Sequence, residues 1–224
     1  MTVPACRDPR NDRRTGMTTT TFCRAELFVD PSCPFAWITE QWLAEVERAR
    51  PIELRVRLLS LAVVNEGRDI DAWYRAFNDA AWAPARVMAA VELEAGPAAA
   101  RRFYEAYGQR FHVELNTADD ADRLVTSTLA LERAELPASL ASAATDTQLD
   151  DVLRNWTRSA LDQVGLDVGV PITVIDGVAA SGPVFSRTPR GPEAMQLFDA
   201  FEVFARHRTF VRLERQRLEP LDLG

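Results

Sequence analysis

A single cysteine stands where a predicted strand gives way to a predicted helix. In the stretch "FVDPSCPFAWITEQW", residues 28–42, Cys33 follows Asp-Pro-Ser and precedes Pro34. Proline suits the first position of a helix, and the unpaired N–H groups at a helix N-terminus stabilise a thiolate. We therefore predict that Cys33 is a nucleophile with a depressed pKa, in preference to a buried structural cysteine.

The residue three positions later decides what such a thiol can do. Ala36 stands where a Cys-x-x-Cys motif has its second cysteine. In a dithiol site the second thiol attacks the mixed disulfide and releases the substrate, which an alanine cannot do. Cys23 lies at the far end of the predicted strand, beyond disulfide reach, and nothing positions Cys6. Cys33 is thus predicted to work alone or with a small external thiol.

Hydrophobic patterns give the elements on either side of this cysteine. "AELFVD", residues 25–30, has the character of a short buried strand. Residues 34–49 carry apolar side chains at three-to-four spacing, which predicts a helix ended by Pro51. "IELRVRLL", residues 52–59, alternates apolar and charged side chains and is typical of a strand with one face in water.

The middle of the chain differs from both ends. From about Asp69 to Gly165, Ala, Leu, Glu and Arg dominate, and Pro and Gly interrupt the sequence at helix-like intervals. "PITVIDG" and "VAASG" then predict a hairpin that turns at Asp176-Gly177. A final helix is expected over residues 192–206.

This order predicts an α/β protein with a thioredoxin fold and a large all-helical insertion, as in DsbA-like proteins. We expect a disordered extension over residues 1–21, a thioredoxin-like domain over 22–66 and 166–220, and a helical insertion domain over 67–165. In such a fold a cis-proline opens the hairpin and faces the cysteine. Pro171 stands at the start of the predicted hairpin, so the Val170–Pro171 bond is predicted to be this cis bond. A cis bond there frees a backbone edge that can pair with a bound substrate.

Several segments resemble one family from end to end. "FVDPSCPFAWIT", "LLSLAVVNEGRD", "AWAPARV", "DVGVPITVIDGVAASGPVFSRTPRGPEA" and the closing "RLEP" resemble the mycothiol-dependent nitroreductases of actinobacteria, in order and at family spacing. The resemblance runs from Phe28 to Pro220. It implies a DsbA-like, cytoplasmic oxidoreductase that works with mycothiol or a similar low-molecular-weight thiol.

The resemblance also implies roles for individual residues. The family motif is Cys-Pro-Trp-Cys, so Cys33 matches the attacking cysteine, Phe35 the Trp, and Ala36 the missing second cysteine. Asn65 and Tyr74 match an Asn and a Tyr of the family's cleft. Without the resemblance, Asn65 is well explained as a turn or cap residue, and Tyr74 as an aromatic residue that packs a helix. The resemblance implies that the following residues bind the substrate: Pro34, Phe35, Ala36, Asn65, Tyr74, Val170 and Pro171.

Three functions remain open at this stage. The first is a monothiol oxidoreductase that reduces a small aromatic or disulfide substrate with an external thiol. The second is a cofactor-free cis-trans isomerase or addition catalyst, in which the Cys33 thiolate adds reversibly to a conjugated molecule. The third is a small-molecule-binding protein without catalysis. Aromatic residues on the elements expected to face the cleft favour an apolar, aromatic or conjugated ligand, although most will be core: Phe35, Trp37, Trp73, Tyr74 and Trp82.

Composition narrows the partners. The 224 residues carry a net charge of −7 without a basic stripe, which argues against nucleic acid. No apolar run approaches the ~18 residues of a membrane span, and we expect no membrane partner. The first residues lack the apolar core of a signal peptide, so we expect a cytoplasmic protein with three cysteine thiols. We expect no metal and no flavin; a homodimer stays open. His112 is predicted to be a helix-surface or packing residue, and His207 a favourable charge near the C-terminus of the last helix.

Overall fold

The computed structural model describes residues 23–116, 122–165, 168–207 and 209–224. The predicted disordered extension, residues 1–21, lies outside these ranges. Among the residues described, no helix combines the length and the apolar character needed to cross a bilayer.

A four-stranded mixed sheet forms the centre of the fold. The strands are β1 (Cys23–Val29), β2 (Ile52–Leu58), β3 (Ile172–Ile175) and β4 (Val178–Ser181), in the order β2-β1-β3-β4. β2 pairs parallel to β1, whereas β3 pairs antiparallel to both β1 and β4. The predicted hairpin is confirmed: Asp176 and Gly177 both have positive φ, as a tight two-residue turn requires.

Helices account for most of the remaining chain. Helix α1 (Pro34–Ala49) connects β1 to β2, and the short α2 (Leu61–Val64) follows β2. The predicted all-helical block contains the following helices: α3 (Ala72–Ala95), α4 (Pro97–Gly108), a π-helical turn (Gln109–Glu114), α5 (Arg123–Arg133), two 3₁₀ segments (Ala138–Thr145 and Thr147–Leu149) and α6 (Asp150–Leu161). After the hairpin, α7 (Gly191–Arg206) ends the regular structure.

The buried face of α1 holds the thioredoxin elements together. Trp42 is fully buried at its centre, and its Nε1 donates a hydrogen bond to the Ala194 carbonyl oxygen of α7 at 3.0 Å. The rings of Phe185 and Phe201 meet the Trp42 ring edge-on, at centroid distances of 5.1 and 6.1 Å. This packing fixes α1, and with it the position of Cys33, against the sheet and α7.

One continuous hydrophobic core joins the sheet elements to the inserted helices. Val29 and Val56 of the sheet, Trp37 of α1 and Phe103 of α4 all belong to the same buried cluster. Separate domains each bury a core of their own, whereas here one cluster contains residues of both parts. The predicted division into two domains stays a prediction.

Trp37 of α1 packs directly against the helical block. Its ring stacks on His112 at a centroid distance of 5.8 Å and tilts against Tyr104 at 6.3 Å. Its Nε1 donates to the Leu223 carbonyl oxygen at 3.1 Å. A Cβ added at Gly108 would lie only 2.3 Å from the Trp37 ring, so a glycine is required for this approach.

We predict that Gly108→Ala destabilises the fold by about 1–3 kcal/mol, because the added methyl group overpacks a rigid aromatic ring. An ordinary glycine-to-alanine change inside a helix stabilises instead. Chemical denaturation of Gly108→Ala, Trp37→Phe and the double variant measures the effect. The double variant should lose less stability than the sum of the single changes, since the smaller ring removes the clash. A single variant more stable than the native protein would contradict this role of Gly108.

Candidate active site

Cys33 occupies the residue directly before α1. Its φ of −86° and ψ of 114° are extended, its N–H donates to the Asp30 carbonyl oxygen at 3.0 Å, and its own carbonyl accepts the first helical hydrogen bond from Trp37 N at 3.1 Å. Pro34 begins the helix, as predicted from the sequence. The tight turn Asp30–Pro31–Ser32 therefore delivers the sulfur to the N-terminus of α1.

Two influences on the Cys33 thiol oppose each other. The N–H groups of Ala36 and Phe35 point to the sulfur and lower its pKa, as the sequence predicted. Burial acts in the other direction and is larger, and the negative charge of Asp30 adds to it, so the pKa of Cys33 is raised to about 12. The prediction of a depressed pKa is therefore wrong for this structure. The reason lies in the tertiary structure, which covers the cysteine so that only 4% of Cys33 is exposed.

The predicted proline partner of Cys33 is in place. The Val170–Pro171 peptide bond is cis, and the Cys33 Sγ donates to the Val170 carbonyl oxygen at 3.8 Å. Pro34, Phe35 and Val170 are partly exposed, whereas Pro171 is buried. The start of α1 and the residue preceding β3 thus form the two sides of one site.

Ala36 lies one helical turn beyond Cys33 and is fully buried. It belongs to the main hydrophobic cluster, and a methyl group occupies the place of a second thiol. Cys33 is a free cysteine. The Cys23 sulfur lies close to Asp176 and Glu202, and Arg206 pairs with both of these carboxylates.

Asn65 and Tyr74 lie against each other. The Asn65 side-chain amide donates to the Tyr74 hydroxyl at 3.4 Å and to Asn78 Oδ1 at 3.0 Å. The same amide donates to the Leu61 carbonyl oxygen, which ties it to α2. No hydrogen bond found among the described residues joins this pair directly to Cys33. Their role in binding substrate stays a prediction.

Asp30 connects the two halves of the site and was not predicted as a functional residue. Its Oδ1 accepts from Ser32 N at 2.8 Å, and its Oδ2 accepts from Leu61 N at 2.7 Å, where α2 begins. Burial raises the pKa of Asp30 to about 6, although both N–H groups lower it. The sequence signal was available, since Asp followed by Pro-Ser is typical of a side-chain-capped turn.

His112 supports the same turn from the other side. It is fully buried, and its Nε2 lies 2.9 Å from the Pro31 carbonyl oxygen. Burial lowers the pKa of His112 to about 3, so the ring is neutral at physiological pH and donates this hydrogen bond. The expected packing role is observed, at a position directly behind the Cys33 turn.

The aromatic residues expected around the cleft differ in how accessible their rings are. Phe35 and Tyr74 are partly exposed near the site elements. Trp37 is buried in the core, and Trp82 lies beneath the guanidinium groups of Arg86 and Arg154, so neither is free to bind a ligand. In addition, Trp73 is 71% exposed.

The fold and the site together define a DsbA-like thioredoxin-fold protein with a single cysteine at the start of α1. A family model described as Rv2466c-like, mycothiol-dependent nitroreductase Rv2466c, matches residues 32–215. The chain therefore belongs to the Rv2466c-like family, and in broad terms this makes it an enzyme of the thiol oxidoreductase type.

Individual relatives agree with this assignment. The uncharacterized protein Rv2286c of Mycobacterium tuberculosis is 29% identical over 178 residues, which covers 77% of this chain and 73% of that protein. The solved structure of a 2-hydroxychromene-2-carboxylate isomerase superimposes with a TM-score of 0.54 at 14% identity, over 82% of this chain and 95% of that one. The structure of Chlamydia trachomatis DsbA superimposes with a TM-score of 0.51 at 11% identity, over 85% of this chain and 97% of that one. The two structures support the fold alone.

The rate of Cys33 alkylation by iodoacetamide should keep rising with pH beyond 9.0, the ordinary thiol value, because burial favours the neutral thiol. Asp30→Asn should shift this curve to lower pH, since it removes a negative charge beside the thiol. Asp79→Asn neutralises an exposed carboxylate of α3 and should leave the curve unchanged. Peptide mass spectrometry after timed quenching measures the rate. A native curve that levels off below pH 9.0 would contradict the dominance of burial.

Proposed function

We propose that this chain is a monothiol oxidoreductase that uses Cys33 and an external low-molecular-weight thiol, of the mycothiol type, to reduce a small aromatic or disulfide substrate. One observation carries the proposal: Cys33 faces the Val170 carbonyl oxygen at the start of α1, while the buried methyl group of Ala36 replaces a resolving thiol. The match to a mycothiol-dependent family supports the choice of thiol.

The site residues can be given roles in one exchange reaction. The Cys33 sulfur attacks a substrate disulfide, an S–S bond forms at Cys33, and the released thiolate takes up the proton that Cys33 loses. The N–H groups of Ala36 and Phe35 stabilise the negative charge that develops on the Cys33 sulfur. Because burial favours the neutral thiol, this deprotonation accompanies substrate binding and does not precede it.

The second half of the reaction needs a thiol from outside. A first external thiolate attacks the Cys33 sulfur of the mixed disulfide and releases the second half of the substrate as a thiol. A second external thiolate then attacks the outer sulfur of the new mixed disulfide, forms the external disulfide and releases reduced Cys33. Over a full turnover two external thiols are oxidised to one disulfide, while the substrate disulfide gains two electrons and two protons. The residues fit such a thiol, since Ser32 Oγ, directly before Cys33, is buried with only the Tyr107 hydroxyl within hydrogen-bonding reach among the described side chains, and it can bond a polar group of the thiol.

An isomerase is the second candidate, and the same alanine favours it. Reversible addition of a thiolate to a conjugated double bond needs one nucleophile and no resolving thiol. The buried Ala36 provides this condition. A protein that binds a small molecule without catalysis is the remaining alternative. For each of these functions we propose a small, apolar, aromatic or conjugated ligand. We also propose the cytoplasm as the compartment, because the reductase depends on a pool of reduced thiol.

Electron balance separates the reductase from the isomerase. Purified protein is given a disulfide or nitro-aromatic substrate with and without reduced mycothiol, and substrate loss and thiol oxidation are measured together. The reductase should require the thiol and oxidise it in proportion to substrate consumed. Turnover with no thiol added and none oxidised would favour the isomerase. Cys33→Ser should abolish either activity, and an active Cys33→Ser variant would overturn both.

Restoring the family motif gives an independent prediction. Ala36→Cys should form an internal disulfide with Cys33 and lower the requirement for external thiol, because the new thiol resolves the mixed disulfide. Ala36→Ser is the matched control, because serine has nearly the same size as cysteine but carries no thiol. Intact mass after oxidation detects the disulfide as a loss of two hydrogens. If both variants keep the same thiol requirement as the native protein, resolution by a second thiol is not what limits turnover.

A further inference from the structure

Arg123 is a buried cation whose hydrogen-bonding capacity is only partly used. It opens α5 and is only 7% exposed, yet its Nε and Nη1 have no hydrogen-bond acceptor among the described residues. A buried charged group without partners is costly, and native proteins pair nearly all such groups. Unpaired donors on a buried guanidinium therefore indicate that a ligand supplies the acceptors.

The neighbours of Arg123 stabilise its charge but cannot satisfy its donors. The guanidinium carbon lies 3.8 Å from the centre of the Phe111 ring and 5.4 Å from that of Phe77. An aromatic face attracts the cation, whereas the N–H groups point outward in the plane of the guanidinium and require oxygen lone pairs. Arg123 is thus held between two aromatic rings, which leave its Nε and Nη1 donors without an acceptor among the described residues.

Two hydroxyl groups nearby have the same property. Among the described residues, the Tyr107 hydroxyl and Ser32 Oγ are buried and have no hydrogen-bond partner outside this group. Burial raises the pKa of Tyr107 to about 12, and Arg123 and Ser32, which both lie within hydrogen-bonding reach of its hydroxyl, act in the opposite direction. The result is a group of donors, from one guanidinium and two hydroxyls, with few acceptors.

This group lies between the two parts of the candidate active site. On one side, the Arg123 charge acts on Asp30, whose two oxygens are already occupied by Ser32 N and Leu61 N. On the other side, Phe77 stacks on Tyr74 at a centroid distance of 6.2 Å, and Tyr74 contacts Asn65. A substrate lying between the Cys33 turn and the Asn65–Tyr74 pair would reach these donors.

We infer that Arg123, Tyr107 and Ser32 form a subsite for the carboxylate of the substrate, which makes the substrate a small aromatic or conjugated acid. The inference rests on the proposed function, since it assumes that the substrate reacts at Cys33. A carboxylate offers several lone pairs and a full negative charge, and its hydrogen bonds to a guanidinium are stronger than those between neutral groups. A neutral amide of the same shape lacks the charge and places two further N–H donors against this group.

Two alkylating agents that differ in charge test the subsite. Iodoacetate and iodoacetamide react with the same thiol, and the ratio of their rates at Cys33 is compared with the ratio at free N-acetylcysteine. The native protein should favour iodoacetate relative to the free thiol. Arg123→Met should lower this preference about tenfold, the loss expected for a hydrogen bond to a charged group. Arg158→Met removes an exposed arginine of α6 and should leave the ratio unchanged.

Substitution of a buried arginine can prevent folding, so two further variants accompany it. Tyr107→Phe keeps the ring and removes only the hydroxyl, and Arg123→Lys keeps the charge. Tyr107→Phe should lower the iodoacetate preference, and Arg123→Lys should lower it less than Arg123→Met. If every folded variant keeps the native ratio, or if the native ratio equals that of the free thiol, the subsite is overturned.

Binding measurements separate this inference from the proposed function. By calorimetry, native protein should bind trans-cinnamate at least about tenfold more tightly than cinnamamide, and Tyr107→Phe should reduce the difference. If Cys33 reacts with neither alkylating agent while cinnamate is preferred, the proposed chemistry fails and the subsite stands. If Cys33 reacts but the acid and the amide bind equally, the subsite fails and the chemistry stands.

Discussion

The carboxylate of Asp30 is the constraint on which the site depends. One oxygen accepts from Ser32 N in the turn before Cys33, and the other accepts from Leu61 N at the start of α2. The ends of two parallel strands are thereby joined through one buried group. The cysteine at the end of β1 and the Asn65–Tyr74 pair beyond β2 keep a fixed relation, because the residues that lead to each bond to the same carboxylate.

A buried negative charge at this position also has an electrostatic effect. Asp30 opposes ionisation of Cys33, whereas the N–H groups at the start of α1 favour it. Arg123 counteracts part of the Asp30 charge from the side of the helical block. The reactivity of the thiol thus depends on groups contributed by both the sheet elements and the inserted helices, which agrees with the hydrophobic cluster that they share.

Local signals in the sequence predicted much of this architecture. Pro34 after Cys33 predicted where α1 begins, Asp176-Gly177 predicted the hairpin, and strict alternation predicted the two faces of β2. Each of these features depends on a few neighbouring residues. The arrangement of the Cys33 site opposite Val170–Pro171 followed from the order of the elements once the fold was assigned.

Properties set by distant packing were beyond the reach of the sequence. The pKa of Cys33 depends on how much protein covers the sulfur, and the sequence shows only the favourable helix start. Trp37 has the same aromatic character as a cleft residue, but the space left by Gly108 places it in the core. Arg123 gave no signal at all, because a lone arginine at the start of a helix is ordinary until its burial is known.

The methyl group of Ala36 has a consequence for the cell as well as for the site. An enzyme with two thiols stores its reducing equivalents internally and can complete half a turnover at any thiol concentration. A site with one thiol has no such store, so in the proposed reductase the rate of release follows the concentration of reduced thiol around it. Activity would then decline as that pool becomes oxidised, and the buried alanine would couple catalysis directly to the redox state of its surroundings.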